Sequence, residues 1–138
     1  MILTKKLRLQ SKGNTDVIDL TSQVESILAE TNFVSGSVTV FVTGSTAGIT
    51  TIEHEPGLLI DFKAAWERIF PENIEYQHNR AWEDGNGHSH VRASSLGASL
   101  VVPFCAHQMV LGRWQQIVLV DFDSRPRSRE VVVQVTGE

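Results

Sequence analysis

Apolar and polar positions along the chain change period several times, and each change marks an element. Leu3, Leu7 and Leu9 alternate with Thr4, Lys6, Arg8 and Gln10, which predicts a half-buried antiparallel strand over residues 2–10. Asn14 marks a turn, Val17 to Leu20 a short strand, and Thr21 is the expected N-cap of a helix with Val24, Ile27 and Leu28 on one face. Gly36 to Val42 is rich in β-branched residues and predicts a strand, and β character resumes at Ile49. Pro56 suits a first helical position, after which Leu58, Phe62, Trp66 and Ile69 recur at spacings of four, four and three. That is the main amphipathic helix, with its aromatic residues expected in the core. Pro71 stops it, and residues 72–80 read as a polar loop. A short helix is expected from His90, with Ser89 as its N-cap. The remainder is β, at 98–104, 109–111, 115–123 and 129–135, and the last two strands are expected to form a hairpin around Ser124 to Ser128. Helices interspersed with antiparallel strands, without regular βαβ alternation, give an α+β class.

Composition narrows this to a single domain of 138 residues, 41% hydrophobic and 20% charged, with a compact core. A net charge of -4 argues against a general nucleic-acid binder. No apolar window is long enough for a membrane helix and the first residues alternate, so the reading is a cytoplasmic protein. Cys105 is the only cysteine, which excludes an intrachain disulfide, and beside Phe104 it is expected to be a small buried apolar residue.

The candidate chemistry is concentrated in Trp82 to Gly97. Asp84-Gly85-Asn86-Gly87 provides a backbone free to turn tightly, followed by His88 and His90. If extended, residues two apart face the same side, so both imidazoles, with Asp84, would converge on a divalent metal such as Mg²⁺ or Zn²⁺ or on an anionic substrate; in a helix they would diverge. The plainer alternative is a Gly-rich surface loop. Gly44 to Gly48 holds only small or hydroxylated residues, so Ser45 and Thr46 would let a phosphate approach the backbone, a plain turn being the alternative. Arg125, Arg127 and Arg129 alternate and would line one side of an extended segment as an anion clamp, to which Arg113 would add; a solvated hairpin tip is the alternative, and Asp121 and Asp123 would then pair with the arginines structurally. Taken together these suit a small phosphorylated ligand with a metal.

Four stretches, TAGITTIEHEPG at 46–57, DGNGHSHVRASSLGASLVVPF at 84–104, LGRWQQIVLVDFDSRPRSR at 111–129 and the terminal VTGE, resemble the YjbQ family, described as secondary thiamine-phosphate synthases. The likeness spans the chain and includes Glu53, the Ser89-His90 pair, Gly97, Gly112, Trp114, Gln115, Ser128 and Arg129. It implies a YjbQ-like domain over 1–138, sandwich-like with two main helices and a short third one, assembled as a homotrimer. It also implies a site near His90, with Glu53 and Ser89 as catalytic candidates, that joins a hydroxymethylpyrimidine diphosphate to a thiazole phosphate. The chain departs from the family pattern at Arg113, where Thr is usual, at His107, where Gly is usual, and at Gly44, where many members carry His.

Three classes of function follow. A thiamine-phosphate synthase would use Arg125, Arg127 and Arg129 to neutralise the departing diphosphate, with His90 and Glu53 placing a metal or the pyrimidine. A metal-dependent hydrolase would hold its ion with His88, His90 and Glu53 or Asp84. The third is a non-catalytic binder of small phosphorylated molecules.

Overall fold

The computed structural model describes residues 1–138 as eight strands and four helices. In chain order these are β1 (Ile2–Ser11), β2 (Asp16–Asp19), α1 (Thr21–Ala29), β3 (Gly36–Val42), β4 (Ala47–Ile52), α2 (Pro56–Ile69), α3 (Gln77–Trp82), α4 (Gly87–Leu96), β5 (Ser99–Cys105), β6 (Gln108–Met109), β7 (Gln116–Asp121) and β8 (Arg127–Gly137). The α+β class holds, with two antiparallel sheets. The larger runs β1-β8-β3-β5-β6 and the smaller β2-β7-β4.

The core lies between the sheets. Val38, Val40 and Val42 of β3 and Val131, Val133 and Val135 of β8 meet Ile117 and Leu119 of β7, and α1 adds Val24, Ile27 and Leu28 as its spacing predicts. Leu3, Leu7 and Leu9 pack on the margin of this core from β1. The run Ile117-Val118-Leu119-Val120 does not alternate because both faces of β7 are covered. Val118, Val120 and Phe122 form a second cluster with Ala93 of α4, and Phe62 and Trp66 of α2 lie on it. The molecule therefore has three layers: the large sheet, the small sheet, and α2 with α4.

The structure corrects several expectations. β7 and β8 do not form a hairpin, since they belong to different sheets and residues 122–126 carry the chain from one to the other. β8 instead pairs with β1 along its whole length, from Ile2 opposite Thr136 to Ser11 opposite Arg127, and the terminal ammonium of Met1 donates to the Gly137 carbonyl at 2.9 Å. Leu20, not Thr21, is the N-cap of α1, and the Thr21 hydroxyl accepts from the Ile117 amide. α2 starts at Pro56 as expected but has no fully buried residue, and Ile69 is exposed. The polar segment after Pro71 contains α3, which its composition does not announce. Cys105 is exposed, being on the outward face of β5. Ala106 and His107, at the β5–β6 turn, both take positive φ (51° and 66°), a region that glycine enters more readily.

Candidate functional site

α4 begins at Gly87, with Asn86 as its N-cap, rather than at His90 with Ser89 as cap. Both histidines are therefore helical. Positions two apart on a helix are about 200° apart around the axis, so His88 and His90 diverge. His88 is buried next to Tyr76, while His90 sits on the α3 side with its ring 4.4 Å from that of His78. Asp84 lies 3.5 Å from His78 Nδ1 and caps the Asn86 amide. No three His, Cys, Asp or Glu side chains converge in a way that would hold a metal ion, so the His88, His90 and Asp84 set does not fit one. Glu53 is also separate. It lines a shallow depression with His54 and Arg113, whose guanidinium stacks on Trp114 at 4.7 Å.

The arginine cluster meets acids of the neighbouring sheet. Arg129 donates through Nε to Asp121 Oδ2 (2.6 Å) and through Nη2 to Asp121 Oδ1 (2.9 Å) and to the Thr46 hydroxyl (2.5 Å). Ser11 adds a hydrogen bond to Asp121, and Thr46 and Asn86 donate to Asp123. Arg127 Nε lies 3.0 Å from Asp123 Oδ2 in an ion pair without hydrogen-bond alignment. Arg125 and Ser45 are exposed and outside the network. The structure thus brings Thr46 and Arg129 together, but with carboxylates between the cations. Burial raises the Asp123 carboxyl pKa, and the hydrogen bonds from Arg125 N, Thr46 and Asn86 with the Arg127 guanidinium outweigh it, leaving the group below its ordinary value. A Cβ at Gly44 would stand 2.8 Å from Arg129 Nη1, so the bare glycine leaves room for the guanidinium.

A different set of residues forms a cavity. Between α2, α4 and the β1–β2 turn lies a space of about 540 Å³, with His88, Arg92 and Thr15 as its buried floor. Residues i and i+4 share a helix face, which puts Arg92 beside His88. Arg92 closes the C-terminus of α2: Nε and Nη2 donate to the Phe70 carbonyl at 3.0 and 2.8 Å, Nη2 also to Glu67 at 2.8 Å, and Nη1 to Thr15 Oγ1 at 3.4 Å. Gly13, Asn14 and Thr15 all have positive φ (73°, 54° and 64°). For a β-branched threonine this costs on the order of 1–3 kcal/mol, and strain of that kind gathers at sites where the backbone is held in place for a purpose. The turn is fixed by the Asn14 amide on the Asp123 carbonyl at 2.7 Å.

The His88 ring has one nitrogen accounted for. Nε2 lies 3.4 Å from Ser89 Oγ, while Nδ1 is buried with no partner. Ser89 has a single hydroxyl proton and already faces two pure acceptors, the Phe122 carbonyl at 2.6 Å and Asn86 Oδ1 at 2.9 Å. It can therefore only accept from His88, which assigns the proton to Nε2 and leaves a lone pair on Nδ1. Burial pushes the His88 pKa below its ordinary value, and Arg92 acts in the same direction against the carboxylates of Glu72, Glu67 and Asp123. The result is a neutral, desolvated imidazole lining a cavity. Sequence reasoning singled out His88 but missed Thr15, Glu67 and Arg92; the i, i+4 relation would have found Arg92 had α4 been started two residues earlier.

Residues 5–138 match the model of a family described as "UPF0047 protein YjbQ-like". A UPF0047 protein of Methanothermobacter thermautotrophicus is 36% identical, with 99% of this chain and 94% of that protein covered. YugU of Bacillus subtilis is 32% identical, with 98% and 100% covered. A crystal structure of a YbjQ-like protein of unknown function from Sulfolobus solfataricus superposes with a TM-score of 0.94 at 31% identity, over 100% of this chain and 99% of that one. These relatives carry a family designation and no activity, and none is described as a thiamine-phosphate synthase. The expectation of that synthase reaction is withdrawn on this finding.

Proposed function

This chain belongs to the UPF0047 YjbQ-like family, and we propose that it binds a small polar molecule in the cavity between α2 and α4, where His88 Nδ1 accepts a proton or hydrogen bond from it. One observation carries the reading: a buried ring nitrogen with its lone pair unspent, in a residue that lines a cavity. An unsatisfied buried polar atom is costly, on the order of 1–3 kcal/mol, and such exceptions in folded proteins call for a ligand, a water or a chemical role. Thr15, held at positive φ, and Arg92, fixed at four contacts, give the floor a preorganised shape. A homotrimer fits this reading, with the outward side chains of Phe41, Val101 and Val110 as apolar surface for it to cover.

Nitrogen-detected NMR of the histidines in the intact protein tests the acceptor directly. The expected state of free protein at neutral pH is a proton on Nε2 and none on Nδ1; a protonated Nδ1 would remove the proposal. A thermal-shift screen of small amines, carboxylates and phosphate then compares wild type with His88→Asn. A true ligand at a hundredfold excess over Kd stabilises wild type by about 2.7 kcal/mol, and the variant should lose most of that gain. Equal stabilisation of both proteins would place binding elsewhere.

A further inference from the structure

The cavity's hydrogen-bonding capacity is uneven, and this bears on what it takes. On the floor, His88 Nδ1 offers only a lone pair by the tautomer that Ser89 imposes. Arg92 spends four of its five N–H donors on Phe70, Glu67 and Thr15, and its charge is paired with Glu67 at 2.8 Å. Glu67 accepts one bond on each oxygen, from the Glu72 amide and from Arg92, and its side chain is still 51% exposed, so lone pairs remain available. Glu72 lines the cavity and makes no ion pair. The one unspent cation is Lys63, exposed on α2 with a flexible stem. An anion entering here would meet two carboxylates and an acceptor nitrogen, against exposed Lys63, one remaining Nη1 N–H of Arg92 and the Thr15 hydroxyl.

Building on the proposed site, we infer that its ligand presents a nitrogen donor, an ammonium or amidinium group, to His88 Nδ1 with the carboxylates of Glu72 and Glu67 beside it. Such a group satisfies the acceptor that the fold leaves unpaired, and a cation next to carboxylates in a partly desolvated cavity is favoured where a phosphate is not. The likeness to a phosphate site suggested by the arginines is not in conflict, because those arginines lie in the separate Asp121 and Asp123 network.

The test titrates the intact protein at pH 7.5 with n-butylammonium, butyrate and inorganic phosphate, reading the ring shifts of His88 by NMR in wild type and in Glu72→Gln. Glu72 is exposed, so the variant should fold. Butylammonium is expected to shift His88 saturably, and Glu72→Gln to weaken its apparent Kd by about fivefold, the size of an exposed ion pair. Phosphate or butyrate acting at lower concentration than the amine would overturn the inferred class while leaving the site. Amine binding indifferent to Glu72→Gln overturns it as well. If none of the three probes moves His88, the inference and the proposed site fall together.

Discussion

Arg129→Ala decides whether the arginine cluster is structural. Asp121 is fully buried and takes hydrogen bonds from Arg129 Nε and Nη2, from Ser11 and from the Asp123 amide. Removing the guanidinium leaves a carboxylate in the interior without its cation, a change that costs about 3–5 kcal/mol when one partner of a buried pair is deleted. An unfolding entropy of about 2.1 cal/mol/K per residue over 138 residues gives roughly 0.29 kcal/mol/K, so Tm should fall by about 10–17 °C. Arg129→Ala together with Asp121→Asn should recover part of that loss, since no unpaired charge then remains. The assay is reversible thermal or urea unfolding followed by circular dichroism. A drop under about 3 °C would refute the reasoning and return Arg129 to the role of a ligand-binding cation.

His88 binds fewer protons folded than unfolded because burial lowers its pKa below about 6.5, so the stability it contributes is whole above that pH and is lost as pH falls below it. Urea midpoints between about pH 7 and 5 should therefore fall less in His88→Asn than in wild type, with Glu67, Glu72, Asp123 and Arg92 around the ring unchanged; parallel slopes would mean a hydrated ring. Gly87→Ala should destabilise, although Gly to Ala inside a helix normally gains about 1 kcal/mol, because the new Cβ would stand 2.4 Å from Tyr76 Cβ; a raised Tm would show that α3 moves aside at little cost. Light scattering in solution should return the mass of three subunits, and a monomer at micromolar concentration would end the trimer reading.

The pattern of apolar positions carried the elements well wherever one face alone is buried. The alternation of Leu3, Leu7 and Leu9 and the spacing of Val24, Ile27 and Leu28 gave β1 and the face of α1 correctly. It failed where the environment is set by distant chain. Nothing local in Ser124 to Ser128 says that β7 and β8 join different sheets, since a turn between two strands reads as a hairpin by default. The site suffered for a related reason. A Gly-rich stretch reads as a loop, but Gly87 is helical and Tyr76 fills the space its Cβ would take, and one turn of helix is enough to send His88 inward and His90 outward. Thr15 gave no signal, because a β-branched residue at φ 64° runs against its own preference.

β8 lies between β1 and β3 in the large sheet, although it is the last strand of the chain. During synthesis, both neighbours emerge long before the strand that joins them, each with an open edge and a row of unpaired amides. The large sheet can close only when residues 127–137 have left the ribosome, so its central pairing forms late in synthesis, and chaperone capture of the waiting β3 edge would be most valuable in that interval. Since Met1 and Gly137 already touch, joining the ends and reopening the chain in the β5–β6 turn would move β8 ahead of β1 and β3 in the order of synthesis. It would seat the central strand with much of the nascent chain still to come.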